Sequence, residues 1–433
     1  MKKARFNFQS SLFTTHSPLL LVLMVVMGVV TSCSEGDDSG LFPGRYDKDG
    51  SYELSGETGD IAGFIPGGDT PGEGSEENGN TQAGVVTAGE WCDLTHWAFW
   101  SGLMQDPDSV SFADKSDYWK FYTNNRVAVR VTDDKGNPLA GLPVKLLRKT
   151  ADVEATLWEA VTDNRGQAEC WVGLYQKENA DATTLRVSVN GTLMEGNPLL
   201  CPWDSTAQQT AVNHYTVATA NTAAERADIA FVVDATGSMM DEINFLKSDL
   251  VDIINKASSV RPSMKMRTAA LFYRDEGDEY LTRHSDFTDD LKATAKFVNK
   301  QEANGGGDYP EAVHTALEQT LQKLSWDTTA KTRLAFLVLD APAHHEDKII
   351  QSLQQSVRLC ARQGIRLIPV AASGVDKNTE FMLRFFAIAT GGTYVFLTND
   401  SGVGGDHIIA SVGPYEVEQL NSIIIRLIGQ YTE

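Results

Sequence analysis

The stretch Ile229-Ala230-Phe231-Val232-Val233-Asp234-Ala235-Thr236-Gly237-Ser238 decides how the chain is read. Five apolar residues in a row describe a strand buried on both faces. The run ends on a carboxylate, with hydroxyl residues two and four positions later. Spacing by two on a turning loop can aim the oxygens of Asp234, Thr236 and Ser238 at one point.

Downstream, the pattern alternates between strands and helices. Helical periodicity runs over 241–257 through Ile243, Leu246, Leu250, Ile253 and Ile254. Strands are expected at Arg267–Tyr273, Leu334–Leu339, Ile365–Val370 and Thr393–Leu397. Helices are expected over 290–301, 310–324, 347–363, 378–389 and 415–430. Such alternation predicts an α/β fold, a doubly wound and mostly parallel sheet, over 226–433. Ligands of these sheets bind outside the carboxyl ends of the strands. The strand from Leu334 ends in Asp340, so a second carboxylate arrives at the edge that holds Asp234. Between them, Gly305-Gly306-Gly307-Asp308-Tyr309-Pro310-Glu311-Ala312 is read as opening a helix, with Pro310 in its first turn. Hard oxygen donors of this kind suit Mg²⁺ or Ca²⁺, with Mn²⁺ a further option, rather than zinc.

The order DATGSM, YRD, GGGDYPEAV, LVLDAP resembles the von Willebrand factor type A domain. The resemblance implies a metal-ion-dependent adhesion site. There the first loop reads Asp-x-Ser-x-Ser, the second supplies a Thr and the third an Asp. Asp234, Thr236 and Ser238 match the first loop, with Thr in place of the first Ser, and Asp340 matches the third. No Thr stands in the second loop, where Asp308 occupies its neighbourhood. The implied metal ligands are Asp234, Thr236, Ser238, Asp308 and Asp340. The implied partner is a protein offering a carboxylate to the cation. A third carboxylate at the ion would weaken that pull, unless Asp308 acts through water.

Other residues at this edge read less sharply. Arg274 and Asp275 end a strand and are taken as rim groups. His344-His345-Glu346-Asp347 looks like a metal cluster, but adjacent helical side chains diverge by ~100°. It is read as a loop and helix start. Neither a nucleophile elbow nor a phosphate loop is found. Asp47-Lys48-Asp49-Gly50 lacks the downstream Glu of a calcium loop.

Upstream, residues 123–220 read as short alternating strands separated by turns, an all-β sandwich. Within it, DDKGNPLAGLPVKLL and TDNRGQAECWV resemble bacterial Ig-like and carboxypeptidase-regulatory-like modules. Residues 91–122 concentrate aromatics, including Trp91, Trp97, Trp100 and Trp119. They are expected to cap the neighbouring domain, the alternative being a glycan-binding platform.

The chain holds 433 residues, 42% hydrophobic and 22% charged, enough for two or three domains. Lys and Arg number 37 against 58 Asp and Glu, a net charge of -21, which excludes a generally basic nucleic-acid binder. The acidity concentrates in 34–90, which holds 13 acidic and 2 basic residues and 14 of the 36 glycines. That composition cannot repay its ordering entropy, so 33–90 is read as a tether.

The first 32 residues carry Lys2, Lys3 and Arg5, then an apolar run over 19–30 too short to span a bilayer. They read as a cleaved signal. Val30 to Cys33 resembles a bacterial lipobox, which implies a lipid anchor on Cys33. The acidic residues after it resemble surface-export signals, so the protein is expected at the bacterial outer membrane, on its surface, the alternative being its periplasmic face. Five cysteines exclude a disulfide-dense scaffold. Pairing among Cys92, Cys170 and Cys201 stays open, and Cys360 is expected as a buried thiol.

The expected function is that of a non-catalytic, lipid-anchored envelope protein that binds a protein partner through a divalent cation. The alternatives are a glycan binder built on 91–122 and a metal-dependent hydrolase using Asp and His near 340–347.

Overall fold

The structure is a computed structural model that describes residues 86–106, 112–151, 153–200, 211–401 and 407–433. The signal segment, Cys33, nearly all of the tether and Cys201 lie outside the described residues.

The buried run around Phe231 becomes the strand Ala224–Asp234, which sits inside an eight-stranded sheet. The sheet order is Thr282–Thr288, Lys265–Tyr273, Ala224–Asp234, Ala330–Leu339, Ile365–Ala371, Tyr394–Leu397, Thr87–Trp91, Glu418–Gln419. The five strands from Lys265–Tyr273 to Tyr394–Leu397 are parallel to one another, and the pairings outside them are antiparallel. The chain direction across the sheet reverses between Ala224–Asp234 and Ala330–Leu339, which makes that gap the topological switch point.

Alternate residues of these strands enter two separate cores. Phe231, Val233, Phe336 and Val338 pack under the helices Met240–Val260 and Leu420–Thr432. Val232, Ala335, Leu337 and Leu339 face the layer of Val313–Lys323, Asp347–Gln363 and Lys377–Thr390. Burying each large apolar side chain contributes about 1.5–3 kcal/mol, so a continuous apolar strand belongs in the middle of three layers.

Residues 124–216 add a three-stranded and a four-stranded sheet. Val127, Val129, Val144, Leu146, Val187 and Val189 are buried together between them. Their turns follow from aspartates. Asp133 Oδ1 accepts the backbone N–H of Lys135 and Asn137, and Asp163 Oδ1 accepts those of Arg165 and Gln167. Val212–Thr216 pairs in parallel with Asn125–Thr132, so this pair of sheets is not purely antiparallel.

Three expectations need correcting. Thr87–Glu90, placed in the tether by composition, belongs to a strand of the large sheet and pairs with Tyr394–Leu397. Thr282–Thr288 is a strand with polar, half-exposed residues, which left no apolar signature to read. The helix expected over 310–324 begins only at Val313, because Glu311 is tied by its N–H to the Pro342 carbonyl at 2.9 Å.

Most large rings of the aromatic segment pack inward, while Phe99 and Tyr118 stay exposed. Trp97, Trp100, Phe112, Trp119 and Phe121 are all buried. Phe121 stacks on Phe385 at 4.0 Å, and Trp100 on Phe381 at 5.9 Å. Asp93 holds Arg384 through bonds of 2.6 and 2.9 Å, both side chains being fully buried. Those rings therefore offer no open face to a glycan. Among the described residues Cys92, Cys170 and Cys360 are free thiols, the last two buried. No helix among them is long and apolar enough to cross a membrane.

Candidate metal centre

The switch point places Asp234 and Asp340 at the carboxyl ends of adjacent strands. Asp234 is fully buried, and its Oδ1 accepts the Thr236 N–H at 2.8 Å and the Thr236 hydroxyl at 2.7 Å. Its Oδ2 is buried without a hydrogen-bond partner. Burial, then the charge of Asp340, pushes the Asp234 carboxyl up to about 7. Burial also raises Asp340, against the pull of the Ser238 hydroxyl beside it.

Ser238, Asp308 and Asp340 line one open cleft of about 550 Å³ together with Glu311 and Tyr309. Thr236 and Asp234 lie beneath this lining rather than in it, and the Thr236 hydroxyl is spent on Asp234. The five ligands expected from sequence therefore meet at one sheet edge, in two tiers. Among them Asp308 is exposed.

The acid that sequence reading missed is Glu311. It is 4% exposed, its Oε2 has no hydrogen-bond partner, and burial together with Asp234, Asp275 and Asp340 pushes it up to about 9. Its place depends on the delayed helix start. A helix opening at Pro310 would have turned this residue into an ordinary first-turn acid. Gly306, at φ 77°, lets the loop close down, since a Cβ there would stand 3.2 Å from Glu311 Oε1 and 3.4 Å from Thr236 Cβ. Length and glycine content announced a close approach, but not which acid would turn inward.

Glu242 adds a fourth buried carboxylate. Its Oε1 accepts the Ser373 N–H at 3.3 Å and hydroxyl at 3.1 Å, while Oε2 is unpartnered. Burial, with Asp340 adding to it, raises its pKa. Among the described residues, none of Asp234, Glu242, Glu311 and Asp340 forms an ion pair with a basic side chain. Nor do three or more His, Cys, Asp or Glu side chains there already converge as a metal cage. Buried like charges with idle oxygens are costly unless protonated or matched by a cation. The donor set, all hard oxygen, fits a divalent cation.

Arg274 and Asp275, expected at the rim, are both buried. Arg274 donates to the Ala235 and Glu302 carbonyls and so ties the first loop to the second. Asp275 meets His344 at 2.8 Å. His345 stacks on Tyr118 at 3.5 Å and contacts its carbonyl, so the two histidines diverge. Tyr309 accepts the Asp376 N–H at 3.1 Å and frames the cleft.

The chain is similar in part to several known proteins. An ariadne-like RING finger protein, R811, of Acanthamoeba polyphaga mimivirus is 31% identical over 191 residues, covering 40% of this chain and 18% of that protein. Alpha-protein kinase vwkA of Dictyostelium discoideum is 30% identical over 124 residues, covering 28% of this chain and 19% of that protein. The chain thus spans under a fifth of the length of these curated relatives. Among solved structures, the von Willebrand factor type A protein of Catenulispora acidiphila matches at 15% identity and TM-score 0.31, covering 48% of this chain and 42% of that one. Proximal thread matrix protein 1 from the mussel byssus, in a form with a zinc-occupied MIDAS motif, matches at 15% identity and TM-score 0.32, covering 48% and 46%. Residues 228–380 match the family model of the von Willebrand factor A domain. The α/β part of this chain thus contains, over residues 228–380, a segment similar to the von Willebrand factor A domain.

Proposed function

We propose that this domain is a divalent-cation-dependent binding module that engages a protein partner, and that the chain is held at the bacterial envelope by a lipid on Cys33. The observation that carries the reading is the set of buried, unpaired carboxylates at the switch point, with Asp234 Oδ2 and Glu311 Oε2 left idle. Asp234 and Asp340 would supply charge to the ion, Ser238 a hydroxyl, and Thr236 would hold Asp234 in place. Glu311 supplies the second-loop acid, with Asp308 outside it at the cleft mouth. A bound Mg²⁺ or Ca²⁺ would attract an acidic group of the partner while relieving the repulsion among these carboxylates. The upstream strand-rich part is read as a sandwich module that carries the binding domain on its tether. The domain is read as non-catalytic, since His344 is paired with Asp275 and His345 is stacked on Tyr118. Anomalous scattering from Mn²⁺-soaked crystals tests the site. One ion against Asp234, Ser238 and Asp340 supports the reading, and no ion there at saturating Mn²⁺ overturns it.

A further inference from the structure

The opposite end of the sheet carries the inverse problem. Arg333 and Arg366 sit side by side near the starts of the strands Ala330–Leu339 and Ile365–Ala371, 4% and 6% exposed. Among the described residues neither forms an ion pair. Arg333 spends its donors on the carbonyls of Gln363, Asp327 and Ala330. Arg366 gives Nη1 to Gly364 and Nη2 to Val161. Its Nε is buried with no partner. Burial and then the charge of Arg366 lower Arg333 to about 10, so the two cations repel.

Arg366 lines a cleft of about 330 Å³ between the large sheet and the strands of residues 124–216. The space beside its Nε is kept by a glycine. A Cβ on Gly391, which has φ 77°, would stand 3.6 Å from that nitrogen. Two other arginines line the cleft, Arg126 and Arg165, against the carboxylates Asp163 and Glu169. Glu169 is taken by Arg126 at 2.7 and 2.8 Å, and Asp163 Oδ1 by two backbone N–H groups. The cleft lining therefore carries three arginines against two carboxylates, one positive charge in excess, within a chain of net charge -21.

We propose that this cleft is an anion site for a small organic carboxylate with an apolar body, one oxygen of which accepts the Arg366 Nε proton. The remaining walls choose between anions. Leu94, Ala128, Val129, Ala160 and Val212 are apolar and suit an alkyl or aryl group. A phosphate has no apolar body and would leave these walls uncovered, whereas an alkyl or aryl carboxylate buries them. This site is independent of the cation site, which lies at the other end of the strands.

The test is calorimetric titration of the full chain with sodium hexanoate and, separately, with inorganic phosphate at matched ionic strength. Two variants accompany it, Arg366→Gln and Gln167→Trp. The second fills the mouth of the cleft from an exposed position and leaves Arg366 intact. Hexanoate is expected to bind saturably at one per chain, and at least threefold more weakly to each folded variant, while phosphate gives no saturable heat. Absence of saturable hexanoate binding, a loss under threefold in a folded variant, or phosphate binding as tight as hexanoate overturns the proposal. If Arg366→Gln fails to fold, Gln167→Trp decides alone.

Discussion

Thr236 donates twice to one oxygen of Asp234, from its N–H at 2.8 Å and its hydroxyl at 2.7 Å, and so leaves the other oxygen buried and idle. A carboxylate fixed in this way is oriented without being neutralised. Glu242 and Glu311 likewise each keep one buried oxygen without a partner, and with Asp340 beside them the site becomes a receptor for positive charge.

The second-loop acid follows from burial. Glu311→Gln removes a buried charge from the cleft and is expected to weaken Mg²⁺ binding by at least tenfold. Asp308→Thr removes an exposed one and is expected to change binding by no more than ~0.5 kcal/mol, the usual range of surface substitutions. Parallel calorimetric titrations compare the two. A larger loss in Asp308→Thr would place the ligand on the outer acid.

The sign of the pH dependence is fixed by the raised acids. Asp234 at about 7 and Glu311 at about 9 would titrate near 3.9 and 4.3 once unfolded. Their contribution to stability is full below about pH 4 and is lost as pH rises through the two folded values. In chelator, the melting temperature is therefore expected to fall between about pH 5.5 and 9. Saturating Mg²⁺ should flatten that fall, because the ion replaces the protons. A chelated protein that gains stability over this interval would contradict the charge assignment.

Asp93 and Arg384 bind the start of the described chain to the helix Lys377–Thr390 of the α/β part. Removing one member of a buried ion pair costs roughly 3–5 kcal/mol, since the other charge is stranded. Asp93→Ala is expected to lose stability on that scale in urea denaturation. A fragment of 226–433 also lacks the strand Thr87–Trp91 and the rings that cover Phe381 and Phe385. It is expected to melt well below the full chain.

How far the sequence could be read depended on where the signal was carried. The apolar run at 229–233 and the acids at its end and at 340 were visible as local pattern, and their elements stand where expected. Thr87–Glu90 was not, because a short strand with a glycine and a glutamate matches the acidic stretch before it in composition. Glu311 was not, because its inward turn is set by a long-range bond to Pro342 and by the space that Gly306 leaves. The buried Asp93–Arg384 pair spans 291 positions and has no local signature.

The anchor has its own test. Cys33→Ser is expected to release the protein from the membrane fraction or to block its processing. Fractionation and mature mass identical to wild type would contradict lipidation.

The most direct measurement is calorimetric titration of Mg²⁺ and Ca²⁺ into the wild-type chain, Asp234→Ala and Asp340→Ala, with circular dichroism confirming that each is folded. The wild type is expected to bind one ion, and each variant to lose that binding while keeping its fold, since repulsion among the buried carboxylates is relieved. Tight single-ion binding retained in both variants would contradict a cation site at the switch point.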